Sequence, residues 1–219
     1  MAGARIDGRV ERGNQSRRLV LGRTMEIASV EGLDGLSIGR IATELGLSKS
    51  GVFALFGSKE ELQLATVRAA RAVFVQRIAR PAEEAPPGLG RVWRVCAGYL
   101  SYSRERVFPG GCFFTTVAAE FSSRTGPVRD AVAGAREEWI GYVRGVLAGA
   151  QAAGELAPDC EVPQLAFELV ALLEMANGDS VLHRDHGGYR RAARAIHARL
   201  TAAAGAGPVT LPALGPEFA

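Results

Sequence analysis

The chain has 219 residues, 47% hydrophobic and 22% charged, with a formal net charge of +3. A chain of this length buries roughly 70% of its unfolded surface with no disulfide or structural metal, and this composition excludes disorder as its main state. The charge is too small by itself to argue for nucleic acid, and no apolar run approaches the ~20 residues needed to cross a bilayer.

At the N-terminus, residues 1–23 hold Arg5, Arg9, Arg12, Arg17, Arg18 and Arg23 against Asp7 and Glu11. There is no apolar stretch of a secretory signal here. Residues 1–14 read as a flexible basic arm. A first helix fits 15–31, with Leu21, Met25 and Ala28 on one face, and Gly32 and Gly35 bracket a turn. Ser37 caps a second helix, in which Ile38, Ile41, Ala42 and Leu45 fall at i, i+3, i+4 and i+7. Gly46 stops it. Ser48 caps a third helix over 49–56, which Gly57 stops. Ser58 and Glu61 form a capping box opening a fourth helix that runs to about residue 80.

Pro81, Pro86, Pro87 and Gly88 read as a linker. Helices follow over 89–107, 112–122, 127–153, 163–182 and 189–204. Pro127 suits the first turn of its helix. The segment 206–219, with Pro208, Pro212 and Pro216, reads as a disordered tail. Alternating strand patterns are missing, so the expected fold class is all-α.

The most informative stretch is IGRIATELGLSKSGVFALF, residues 38–56. Two short helices that cross at roughly 90–120° need a small residue at the contact and a glycine in the turn. Ala42 and Gly46 fill these places. Ile41, Leu45, Leu47, Val52 and Leu55 supply the buried faces. Taken alone, the motif also suits a helical hairpin that never meets DNA.

With its surroundings, the motif resembles the DNA-binding domain of the TetR family of bacterial transcriptional regulators. The resemblance spans residues 18–62. It is carried by Met25-Glu26-Ile27-Ala28, by Gly32 and Gly35 before Ser37, by Ile41-Ala42 and by Gly46-Leu47-Ser48. Val52-Phe53-Ala54-Leu55-Phe56-Gly57-Ser58-Lys59-Glu60-Glu61-Leu62 is similar to the family's Leu-Tyr-x-x-Phe-x-x-Lys-Glu-x-Leu ending. It implies an N-terminal three-helix helix-turn-helix domain over 15–62. A larger C-terminal helical domain over 63–205 would bind a small-molecule effector and dimerise.

The helix over 49–56 is then expected in the major groove of an operator duplex. Ser48, Lys49, Ser50, Phe53 and Ala54 point away from the packed face. Lys49 can reach a phosphate or guanine O6/N7. Ser37 and Lys59, each at a helix N-terminus, are placed for phosphate. Arg17 and Arg18 add sequence-independent attraction. The sequence departs from the family at Phe53, where a tyrosine hydroxyl usually binds phosphate. A phenyl ring can only pack, for instance on a thymine methyl. With Gly51 and Ala54 beside it, the reading surface carries few polar groups.

The second domain is rich in aromatics, most of which serve its core. Candidate effector-binding residues are Trp93, Cys96, Tyr99, Cys112, Phe113, Thr116, Glu120, Trp139, Tyr142 and Asn177, with Thr115 as a further polar group. Cys112 follows Pro109-Gly110-Gly111 near a helix start, where a thiol can be activated; a buried inert cysteine is the other reading. Together with Cys96 and Cys160 it makes an odd, scattered set, which fits free thiols in a reducing, cytoplasmic compartment. His183 and His186 stand three apart without a third ligand, so no metal is expected. By the resemblance, the last two helices pair with a second copy through Phe167, Val170, Met175, Ile196 and Leu200. A dimer also fits the physics, since two related heads read a palindrome.

The expected function is therefore a dimeric repressor, released from a palindromic operator by an unknown small molecule. An activator of the same fold, or a helical interaction module with a weak DNA surface, remain as alternatives. No nucleophile elbow, phosphate loop, zinc-protease motif or acid–base pair is present, so neither catalysis nor a cofactor is expected.

Overall fold

The structure, a computed structural model, describes residues 8–206, 211–216 and 218. Its first helix, α1 (Gly8–Glu31), starts earlier than the expected 15. Residues 1–7 of the expected arm lie outside the described residues. Residues 8–14 are helical instead of flexible. No proline interrupts them, and an Arg18–Glu11 ion pair at 3.0 Å joins two turns of one face. The buried stripe of α1 is Val20, Thr24, Ile27 and Ala28, with Leu21 and Met25 at its margin.

Next come α2 (Ile38–Glu44) and α3 (Lys49–Phe56), at the expected places. The Ser37 hydroxyl accepts from the Arg40 N–H at 3.5 Å, and the Ser48 hydroxyl accepts from Gly51 N–H at 3.0 Å. Between them Gly46 adopts φ +64°, a conformation that L side chains rarely take, and Leu47 N–H closes the turn on the Ala42 carbonyl at 2.8 Å. Ile41, Ala42 and Val52 are buried at the crossing. Ser58 caps α4 (Lys59–Phe74) through Glu61 N–H at 3.0 Å. A buried Thr66 hydroxyl donates to Thr24 at 2.9 Å and fastens α4 to α1.

The expected linker begins later than Pro81, although Pro86, Pro87 and Gly88 do lie outside the helices. A π-helical stretch, Val75–Ala79, leads straight into α5 (Arg80–Glu83), with Pro81 inside the helical path. A proline there removes one backbone donor and crowds the carbonyl four residues earlier. The wider π turn accommodates both.

The larger bundle comprises α6 (Leu89–Arg104), α7 (Phe113–Phe121), α8 (Pro127–Ala152), α9 (Val162–His183) and α10 (Gly187–Ala203). Helices α9 and α10 form an antiparallel pair packed on α6. The turn before α7 lies against α1. A Cβ at Gly110 would collide with the Ser29 carbonyl, so only glycine allows this approach. Among the described residues of the expected tail, Phe218 departs from disorder: it is 1% exposed, with its ring edge-on to Trp93. No helix among the described residues is long and apolar enough to cross a membrane.

Candidate nucleic-acid interface and effector chamber

The exposed face of α3 follows from its amphipathic pattern. Val52 and Phe56 are buried against the head, which turns Lys49, Ser50, Phe53 and Ala54 outward. Phe53 is 53% exposed. Ser48 is exposed as well; its oxygen accepts from the cap N–H and lies 3.3 Å from the Ser50 hydroxyl, a bond that leaves one O–H of the pair to donate outward. Ser37 caps α2 and is also exposed.

Three other expected DNA contacts have partners inside the protein. Arg17 points inward: its guanidinium donates to the Leu55 carbonyl at 2.6 Å and lies 4.5 Å from the Phe56 ring centre. Leu55 is in the last turn of α3, where carbonyls lack helical partners, so Arg17 caps the recognition helix from α1. Lys59 donates to the Asp34 carbonyl at 2.8 Å. Arg18 is exposed and paired with Glu11. Behind the helices, Arg40 bridges Glu31 at 2.6 Å and Glu44 at 2.8 Å, while Arg23 joins Glu44 and Glu26. These hydrogen bonds hold the Glu31 and Glu44 carboxyls below their usual range.

A chamber of about 280 Å³ lies between α4, the π stretch, α5, α6, α7, α8 and α9. Of the expected effector-binding residues, Tyr99, Cys112, Trp139 and Tyr142 line it, and so does Thr115. Five aromatic rings form its walls, including Phe74 and Phe114, which sequence reasoning did not single out. Trp139 stands between Tyr99 and Tyr142, with interplanar angles of 22° and 23° and centroid distances of 6.0 and 6.1 Å. Burial pushes the Tyr99 phenol well above its usual range, so it stays protonated.

The charged groups of the chamber were also missed. Arg136 is bound by both Glu174 oxygens, at 2.5 and 2.9 Å, between α8 and α9. Arg71 pairs with Glu138, and Glu83 completes the set. No spacing rule could have found them, because four separate helices contribute.

Six expected effector residues lie elsewhere. Trp93 packs against His197 and Phe218, and Phe113 is buried between Phe108 and Phe114. Cys96 is fully buried, its thiol pushed up to about 12 by burial. Asn177 is an internal strut that accepts from Cys112 N–H at 2.8 Å and from the Ser103 hydroxyl at 2.5 Å. Thr116 and Glu120 sit on the far face of α7, one turn apart. Thr116 donates to the Ser29 carbonyl at 3.0 Å. The Glu120 carboxylate accepts from Leu33 N–H at 2.7 Å and Asp34 N–H at 2.9 Å. The Asp34 side chain is in turn paired with Arg124, which holds its carboxyl below the usual range. One helix thus shows Phe114, Thr115 and Ala118 to the chamber and Thr116 and Glu120 to the end of α1 and the turn that follows it.

The expected dimer residues divide in the same way. Phe167 and Met175 are 68% and 67% exposed on α9, joined by Leu182 at 78%. Val170, Ile196 and Leu200 are buried within the protomer, because they face the α6, α9 and α10 core. His183, exposed, lies 3.4 Å from Asp179.

Two family profiles match this chain. That of bacterial regulatory proteins of the tetR family covers residues 20–66, and that of the tetracyclin repressor-like C-terminal domain covers residues 88–196. No curated protein sequence matches it. Among solved structures it is similar to a TetR transcriptional regulator from Chloroflexus aurantiacus J-10-FL, with 24% identity, a TM-score of 0.82, and coverage of 89% of this chain and 98% of that one. A putative regulator from Saccharomonospora viridis in complex with choline is 20% identical, with a TM-score of 0.72 over 88% and 98% of the two chains. AibR, in complex with isovaleryl coenzyme A and operator DNA, is 15% identical, with a TM-score of 0.61 over 74% and 85%.

Proposed function

Because the chain belongs to the TetR family of bacterial transcriptional regulators, we propose that it is a cytoplasmic dimeric repressor that a small-molecule effector releases from a palindromic operator. The observation that carries this reading is the two-faced α7. A ligand that reshapes the wall at Phe114, Thr115 and Ala118 moves the same helix that holds Ser29, Leu33 and Asp34 of the head. Effector and DNA then compete through the spacing of two heads, with a coupling on the order of 1–3 kcal/mol. The ligand acts only by its different affinity for the two states. Complexes with choline, and with isovaleryl coenzyme A and operator DNA, among the similar folds support the same reading.

In this scheme residues 15–62 read DNA and residues 63–205 sense and dimerise. Lys49, Ser50, Phe53 and Ala54 enter the major groove, with Ser48 and Ser37 on flanking phosphates. Phe167 and Met175 meet a second copy. The reading is tested by fluorescence anisotropy on a duplex from upstream of the protein's own gene, with a scrambled control and a salt series. Nanomolar binding of two protomers to the upstream duplex is expected. Lys49→Ala is expected to weaken it about tenfold, within the range for one base contact. Equal, weak and salt-abolished binding to both duplexes would overturn the proposal.

A further inference from the structure

The charges around the chamber are unevenly matched. Two arginines face three glutamates. Glu174 holds Arg136 in a bidentate pair, and Glu138 holds Arg71. The Glu83 carboxylate is left with no ion pair or hydrogen bond among the described residues. It lies close to Tyr142: besides burial, the Glu83 charge pushes that phenol up. Arg91 is also nearby, but its guanidinium is fixed on the backbone carbonyls of Ala85 and Glu83.

The π turn is what brings Glu83 here. Arg71, Val75, Ala79 and Glu83 recur every four residues and all line the chamber. In a regular α-helix such a row drifts by about 40° per step, which would carry Glu83 about a third of a turn away. The wider turn at Val75–Ala79 takes up that drift. The lining offers an anion no unpaired positive charge among the described residues: both arginines are paired, and the Tyr142 hydroxyl donates to the Ala79 carbonyl at 3.2 Å. The rings present electron-rich faces, on which cations sit favourably.

We propose that the chamber binds a small organic monocation, with its charge between the Glu83 carboxylate and the Trp139 and Tyr142 rings. The proposal rests on the effector-site reading above and names the ligand class. About 280 Å³ corresponds to roughly nine waters of liquid volume, so the ligand has on the order of ten non-hydrogen atoms. An anion would have to break the Arg136–Glu174 or the Arg71–Glu138 pair to find a counter-charge.

The test is calorimetric titration of the DNA-free protein with benzyltrimethylammonium, its uncharged isostere neopentylbenzene, and phenylacetate. Saturable binding of the cation is expected at one per protomer, at least tenfold tighter than either competitor. Glu83→Gln is expected to weaken the cation at least fivefold and to leave neopentylbenzene and the melting temperature unchanged, since the side chain is exposed and unpaired. Equal or tighter binding of either competitor, no binding of the cation, or an indifferent Glu83→Gln would each overturn the assignment. Adding the three probes to the DNA complex separates the two proposals. A cation that binds without releasing DNA sinks the release mechanism and keeps the ligand class. Release by phenylacetate does the reverse.

Discussion

Arg17 shows how one side chain can satisfy a sequence pattern and serve another purpose. A basic pair ahead of a helix-turn-helix reads as a DNA contact, yet the Arg17 guanidinium lies on the Leu55 carbonyl and over the Phe56 ring. A hydrogen bond to a charged donor and an exposed cation–π contact together suggest about 1–2 kcal/mol of head stability. Arg17→Ala is therefore expected to lower the melting temperature of the DNA-free protein by a few degrees. Weaker DNA binding with an unchanged melting temperature would return Arg17 to the role that the sequence suggests. Inward and outward arginines look alike in a sequence, because the difference depends on which carbonyl another helix leaves unpaired. The caps were different: Ser37, Ser48 and Ser58 each act on an N–H three residues ahead. That relation is local, so the sequence carried it in full.

At the level of elements, legibility follows the same division. Helix α3 was readable to the residue and α2 to within one, since a serine opens each and a glycine lies close past each end. The path from α4 through α5 was not, because Pro81 reads as a break and a π turn leaves no spacing signature. The aromatic character of the chamber was legible in the composition, and its membership was not. Tyr99 and Trp93 are alike in sequence, but only Tyr99 falls on the chamber side of α6. The phase of α7 matters most. Replacing Glu120 with Gln keeps one acceptor oxygen and leaves either Leu33 or Asp34 N–H facing an amide nitrogen. A part-buried donor left unpaired costs about 1–3 kcal/mol. The Glu120→Gln protein is expected to fold, with hydrogen exchange at the Leu33 and Asp34 amides faster by about tenfold, the factor that ~1.4 kcal/mol gives. Exchange in α8 should not change. Unaltered exchange at both amides would mean that Glu120 does not hold the head.

Over the whole molecule, the distribution of exposed apolar side chains carries the argument. Leu19, Val30 and Phe53 belong to the head, whereas Phe167, Met175 and Leu182 all lie on α9, where exposed Ala171 and Gly178 fill the gaps between them. The row 167, 171, 175, 178, 182 advances by three or four residues and so marks one face of one helix. A monomer with that face in water would expose a continuous apolar strip, the usual sign of a protein contact. A second copy placing the same face against it satisfies both at once, as an isologous contact does. The buried Val170, Ile196 and Leu200 stabilise the protomer from the opposite side and need no partner. Phe167→Glu combined with Met175→Glu places two carboxylates on this strip without touching the core. Sedimentation velocity is expected to show a dimer for the unchanged protein and a monomer for the double variant. The variant should keep its cooperative thermal unfolding and lose at least tenfold in affinity for the upstream duplex, since one head then binds alone. A double variant that still sediments as a dimer would place the interface elsewhere. A monomer with full DNA affinity would show that the two heads do not read the operator together.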